Sequence, residues 1–241
     1  MIQIFTCKQG SEEWRRARMG VPTASEFHSV LAKGEGKTRK KYMFELLGER
    51  LTGEPMAQFS NVHTERGHAL EDEARQLYSF DVAEPLLQVG FVRNGPVGCS
   101  PDSLVGEDGV LEIKTKLPHL QLEVLHNNRV PPEHIAQCQG VLWVTNRKWL
   151  DFVSYWPGLP LFVRRVIPDL EYFDKLAAAL GAFEAELQEL AASLPVPPKI
   201  RLERKALEIT NEFSSLDPVD FRAGRPSKEW AGAATDGKRQ A

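Results

Sequence analysis

A chain of 241 residues, with 42% apolar and 26% charged side chains, has the length of one large domain, or of one domain with an extension, and the balance of a globular protein. Its net charge of −3 excludes a protein that coats nucleic acid through bulk positive charge, so any cationic surface must be local. Cys7, Cys99 and Cys138 are too few and too widely spaced for a disulfide framework or a zinc or iron–sulfur site; no apolar run nears the ~20 residues of a membrane span, and the first residues are too short and polar for a secretory signal, which sets the expected compartment as cytoplasmic.

In chain order, Ser11 caps a short helix through Arg18 that Gly20 closes. Thr23-Ala24-Ser25-Glu26 has the pattern of a capping box opening a second helix through Leu31. Thr38 is the N-cap of a helix that runs through Leu51 and stops at Gly53. The next helix, over 64–80, carries apolar residues at Leu70, Ala74, Leu77 and Tyr78. Strands are expected over 86–92, 97–100 and 110–115, and helices over 118–128 and 132–143, the second opening on a proline. Two β-rich runs, 149–155 and 161–167, flank Pro157-Gly158 as paired strands, and a long helix spans 170–194. After Pro195, Pro197 and Pro198 the composition shifts, and beyond Arg222 it is that of a flexible tail. The expected organisation is a domain over 1–194 and a partly flexible extension over 195–241. The element order describes an α/β domain with a central mixed sheet flanked by helices.

The densest chemistry lies between Ser100 and Lys114. Pro101-Asp102 precedes Glu112-Ile113-Lys114, which stands in an apolar β-like run. Alternation along a strand points Glu112 and Lys114 one way and Leu111 and Ile113 into a core. Asp108-Gly109 is a hairpin-turn signal that folds Asp102 back beside Glu112. Two carboxylates and a lysine on one sheet edge suit a hard cation and phosphodiester hydrolysis, with the lysine as charge stabiliser or proton handler. The same residues also suit a solvated hairpin.

Three further segments bear on that choice. Glu71 sits beside the apolar stripe of its helix, within reach of a buried site, or belongs to an acidic outer face with Asp72 and Glu73. Ser25 falls in a first helical turn, where free N–H groups favour an anion, and Arg18 lies one short loop away. Together they form a terminal-phosphate pocket, or a structural cap with a surface ion pair. Gln137 and Gln139 cannot share a helix face, so one faces the site and the other solvent, or a glutamine among these apolar residues is a satisfied core residue. The basic stretch with Lys33, Lys37, Arg39, Lys40 and Lys41 follows a DNA backbone or is a solvated helix start.

The Pro101-Asp102…Glu112-Ile113-Lys114 pattern resembles the PD-(D/E)xK nuclease superfamily and implies its restriction-endonuclease-like core. Four segments taken together resemble phage lambda-type alkaline exonucleases, the nucleases of viral recombination. They are Gln9-Gly10…Trp14…Arg18…Thr23-Ala24-Ser25, Gly67…Glu71…Ala74-Arg75, Ser100-Pro101-Asp102…Glu112-Ile113-Lys114, and Ala136-Gln137-Cys138-Gln139…Trp143-Val144-Thr145. The resemblance implies Asp102, Glu112 and the Ile113 carbonyl as metal ligands, Lys114 as the catalytic lysine, Glu71 at a second metal or its water, and Gln137 as the group that positions the nucleophilic water or Lys114. It implies that Arg18 and Ser25, assisted by Ser100, hold a 5′-phosphate. The implied cofactor is Mg²⁺, two ions per site, with Mn²⁺ as a substitute. The implied activity is processive 5′-to-3′ digestion of one strand of duplex DNA to mononucleotides, which leaves a 3′ single strand. The implied partners are a 5′-phosphorylated duplex end, a single-strand-annealing protein and two further copies in a trimeric ring, all in a phage or prophage setting without a membrane. The chain departs from the family where Ser103 replaces a common glycine and where Lys114-Thr115-Lys116 replaces Lys-Cys-Pro. The competing readings are a structure-specific or restriction-type endonuclease of the same superfamily and a non-catalytic DNA-end-binding protein.

Overall fold

The computed structural model describes residues 1–32, 37–56 and 62–195; the side chains of residues 62–65 and 68 lie outside that description. Among the described residues, eight strands and seven α-helices follow in the order β1 (Ile2–Phe5), α1 (Glu12–Arg18), α2 (Phe27–Leu31), α3 (Lys37–Thr52), α4 (Val62–Asp81), β2 (Leu86–Leu87), β3 (Phe91–Asn94), β4 (Val97–Cys99), β5 (Ser103–Val105), β6 (Gly109–Thr115), α5 (Pro118–Asn127), α6 (Pro132–Thr145), β7 (Trp149–Tyr155), β8 (Phe162–Val166) and α7 (Leu170–Ser193). A five-stranded sheet has the order β2-β5-β6-β7-β8, with β6 and β7 parallel and the other pairs antiparallel. A three-stranded antiparallel sheet has the order β1-β3-β4. Mixed strands and flanking helices are the α/β architecture expected. No helix among the described residues is long and apolar enough to cross a membrane.

Both faces of β6 are covered, which the simple alternation argument does not anticipate. Leu111 and Ile113 pack with Ala74 and Tyr78 of α4 and with Val153 and Tyr155 of β7. Val110 joins Leu150, Phe152, Val141, Leu142 and Phe183 in the main core, on the face beneath α6 and α7. A central strand of a parallel pair is buried on both sides by its crossover elements. Glu112 therefore lies on a covered face and is only 2% exposed.

Helix α6 opens with Pro132 at its first turn and stops at Asn146, whose φ of 53° is a left-handed C-cap. It is buried from Cys138 to Thr145, and it packs close because residue 140 is glycine: a Cβ there would stand 2.4 Å from the Phe27 ring. The hairpin between β5 and β6 turns at Gly106, φ +50°, rather than at Asp108-Gly109; Gly109 is already paired with Val105. Strands β1 and β5 have no counterpart among the expected elements. The Thr23–Glu26 capping box does not form. The segment Ala24–Glu26 is a 3-10 turn, Thr23 Oγ1 meets Ser25 Oγ at 3.2 Å, and Glu26 accepts from Ser29 instead. Leu77, expected on the buried stripe of α4, is 40% exposed. The expected extension lies outside the described residues from residue 196 onward.

Candidate active site

The site forms where β5, β6, α6 and the segment after β4 meet. Ser103 pairs with Leu111, so one step further along this antiparallel pair Asp102 stands beside Glu112. The Ile113 amide then donates to Asp102 Oδ2 at 2.5 Å, which fixes that carboxylate against the strand. Glu112 Oε1 lies 2.7 Å from Lys114 Nζ and accepts from Gln137 Nε2 at 2.5 Å. The second oxygen, Oε2, is buried and has no partner. Sequence spacing made Asp102, Glu112, Lys114 and Gln137 candidates, and the fold brings all four together.

Their ionisation reflects the shared, dry setting. Burial pushes Glu112 up to about 7, against the pull of Lys114 and with a further push from Asp102. Burial also pushes Asp102 up to about 6, aided by Glu71 and opposed by Lys114, the Ile113 amide and Arg75. For Lys114 burial works against the charge, yet Glu112 and Asp102 outweigh it and hold the ammonium above its usual range. Cys99 and Cys138 are free, and burial beside Glu112 raises both thiols, so neither is poised as a nucleophile.

Glu71 lies on α4, which packs on Leu111 and Ile113 of β6, within electrostatic reach of Asp102 and Lys114. Among the described residues no three His, Cys, Asp or Glu side chains converge as a metal cage. The donor set still fits Mg²⁺, which takes one or two carboxylates and completes its shell with water and substrate oxygens. A buried carboxylate oxygen without a partner, beside a second carboxylate, is the feature that a divalent cation would satisfy.

The opening motif has a role that its sequence did not show. Gln9 Nε2 donates to the Pro101 carbonyl at 3.0 Å and to the Val89 carbonyl at 3.2 Å, and Trp14 Nε1 donates to Ser100 Oγ at 2.8 Å. Gln9 and Trp14 thus clamp the two residues before Asp102. The Arg18 guanidinium lies 4.3 Å from the Trp14 ring centroid. Burial lowers its pKa, while Tyr42, Glu49 and Glu26 favour its charge. Arg18 lines a cleft of about 180 Å³ together with Trp14, Thr23, Glu26, Tyr42 and Glu49. Ser25 and Ser100 do not line that cleft; Ser25 bonds Thr23, and Ser100 bonds Trp14. The segment that carries Ser25 is nevertheless tied to β4, through the Thr23–Gly98 bridge and the bond from Gly98 N to the Pro22 carbonyl.

Of the two glutamines, Gln139 is the satisfied core residue: it is buried, donates to the Ile167 carbonyl and accepts from the Asp169 amide, which joins α6 to the start of α7. Arg39 is not a free cation, because it forks onto Glu186 of α7 and lies over the Phe183 ring. Lys41 pairs with Glu45 at 3.4 Å on the exposed face of α3, Lys37 and Lys40 are exposed there, and Lys33 lies outside the described residues. Lys116, where the chain departs from Lys-Cys-Pro, and His134, which no motif names, stand at the end of the same row, 3.0 Å apart.

Residues 13–148 match the YqaJ-like viral recombinase domain family. Among solved structures, an alkaline exonuclease (LHK-Exo) from Laribacter hongkongensis is 34% identical, with a TM-score of 0.69, over 83% of this chain and 100% of that one. LHK-Exo in complex with dAMP is similar at 34% identity, with a TM-score of 0.70 and the same coverage. A phage-related exonuclease from Haemophilus somnus 129PT, 16% identical with a TM-score of 0.54, covers 71% of this chain and 95% of its own, and shares the fold. No curated protein matches the chain. The chain belongs to the YqaJ-like viral recombinase family, among the alkaline exonucleases of lambda type.

Proposed function

We propose that this exonuclease is Mg²⁺-dependent and digests one strand of duplex DNA processively from a 5′-phosphorylated end, releasing mononucleotides and leaving a 3′ single strand for annealing. The observation that carries the reading is Glu112, whose Oε1 takes both Lys114 and Gln137 while its buried Oε2 has no partner. Asp102 and Glu112 would hold the cation with the Ile113 carbonyl, and Glu71 would serve a second ion or its water. When bound, the metal supplies Lewis-acid polarisation of the scissile phosphate.

The remaining work falls to the chain's own side chains. Lys114, charged and largely withdrawn from solvent, offsets negative charge that develops on the phosphate. Gln137 keeps the Glu112 carboxylate from turning and offers an amide within reach of an attacking water. Trp14 and Gln9 hold Ser100 and Pro101, so Asp102 is presented from a fixed loop. Arg18, stacked on Trp14, reads the terminal 5′-phosphate, with Ser25 and Ser100 as its implied partners from outside the Arg18 cleft. The dAMP complex of LHK-Exo supports a mononucleotide product. Lys33, Lys37, Lys40 and Lys41 remain the DNA-facing cations of the proposal.

A trimeric ring around the duplex would keep a mildly acidic protein on DNA, and a single-strand-annealing protein would receive the exposed strand. Digestion of linear duplex labelled at either end, beside a closed circle and with Mg²⁺, tests the reading. Loss of the 5′ label alone, a surviving single strand and an intact circle are expected. Cutting of the circle would turn the assignment to an endonuclease. A single subunit by light scattering would remove the ring.

A further inference from the structure

The catalytic row continues one rung beyond the residues assigned so far. Glu112, Lys114 and Lys116 occupy alternate positions, and the Lys116 amide still bonds the Tyr155 carbonyl, so the β6–β7 ladder carries through it. Helix α6 lies alongside: Gln137 meets Glu112, and His134, one turn nearer the helix start, meets Lys116 with Nε2 and Nζ 3.0 Å apart. The His134 ring stacks on Phe152, 5.3 Å between centroids, and Phe152 is the β7 residue paired with Glu112. Two residues along an extended strand advance about 6.6 Å, so Lys116 sits one step past Lys114.

The two lysines differ in how their charge is met. Lys114 faces Glu112 at 2.7 Å. The Lys116 side chain is only 12% exposed, yet its charged partner is Glu133 at 3.4 Å, a side chain that is 62% exposed. Its closer partner is an imidazole, which burial, together with Lys116 and Lys114, keeps unprotonated. His134 therefore accepts a hydrogen bond and brings no counter-charge. A mostly buried ammonium that is only loosely balanced leaves a positive spot beside the scissile position.

A terminal phosphate held near Arg18 accounts for the 5′ side of the scissile bond, so only phosphates on its 3′ side remain to be held. We infer that Lys116, set in place by His134, binds the first phosphodiester 3′ of the scissile one in the strand being degraded. This rests on the exonuclease reading above. It also gives a task to the lysine at which the chain departs from the Lys-Cys-Pro pattern.

The test is single-turnover release of the first nucleotide from 5′-phosphorylated duplexes that carry one uncharged methylphosphonate, either at the second linkage from the 5′ end or deep in the duplex. The neutral second linkage should slow the wild type roughly tenfold, the worth of one charge-assisted contact, and the deep one should not. Lys116→Met should slow the unmodified duplex by a similar factor and then be indifferent to the neutral linkage. His134→Gln, which keeps an acceptor for Lys116, should retain most of the rate, whereas His134→Leu should not. A wild type indifferent to the neutral second linkage would overturn the subsite whatever the variants do. So would a Lys116→Met enzyme that remains as sensitive as the wild type. A wild type inert on unmodified duplex would sink the exonuclease reading along with the subsite, which is a different result from an active but indifferent enzyme.

Discussion

Gln137 of α6 donates to the Glu112 oxygen that also faces Lys114, and so leaves the other Glu112 oxygen turned to a buried space without a partner. One amide thereby sets which carboxylate oxygen is occupied by protein and which is left for a cation. Gln137→Ala should lower the turnover rate by about 10–100-fold, the usual cost of losing a group that orients a ligand. The melting temperature should change little, because Gln137 is half-buried and Lys114 still faces Glu112. A weaker Mg²⁺ requirement curve should accompany the slower rate. Unchanged kinetics would remove Gln137 from the site.

Lys114→Ala should slow cleavage severely while the protein stays folded. Loss of one charge stabiliser in a water-poor site costs about 2.7–4 kcal/mol of transition-state energy, or roughly 10²–10³ in rate. Single-turnover digestion together with circular dichroism separates this from unfolding. Turnover near that of the wild type would count against the catalytic assignment.

Stability should depend on pH through the carboxylates. Glu112 is raised from 4.5 to about 7 and Asp102 from 3.8 to about 6, each chiefly by burial. A carboxyl raised in the folded state binds its proton more tightly there. Its contribution is complete below the unfolded value and is lost as pH climbs through about 6 to 7. His134, held down to about 4 chiefly by burial, works in the opposite sense, and its effect is complete near its ordinary value of 6.5. Melting of the wild type against Glu112→Gln isolates the carboxylate. Without divalent metal the two should be close at pH 5, and the wild type should fall behind by pH 8. Added Mg²⁺ should recover the wild type most at pH 8. Parallel profiles would contradict a raised, buried carboxyl at Glu112.

Arg18→Ala should discriminate between DNA ends. A charge-assisted contact to phosphate contributes about 1.5–3 kcal/mol, so digestion from 5′-phosphorylated ends should slow by roughly 10–100-fold. Digestion from 5′-hydroxyl ends should hardly change. Equal slowing on both would mean that Arg18 serves the fold, through its stack on Trp14, and not the phosphate.

The sequence by itself pointed to the residues that gather at the site and to most of the frame. Asp102, Glu112 and Lys114 were legible from the Pro-Asp and Glu-x-Lys spacing and from strand alternation, which places Glu112 and Lys114 on one side, whereas Gln137 was set apart from Gln139 only by the family resemblance. The long helices were legible from periodicity, and α6 and α7 end within a residue or two of where their patterns do.

What only the tertiary structure decided depends on partners far apart in the chain. Trp14 reads as a core residue of a short helix until the β4–β5 segment brings Ser100 to its indole N–H. Arg50 and Glu184 look like surface charges on two helices, yet they form a buried pair, and Arg50 also holds the Gly20 carbonyl just after Arg18. Gln139 was turned inward by the start of α7, and Arg39 was taken up by Glu186. The physical reason is common to all four. Periodicity and spacing report which side of an element a residue occupies. Whether that side meets solvent, another element or a ligand is settled by long-range packing, which no local pattern encodes.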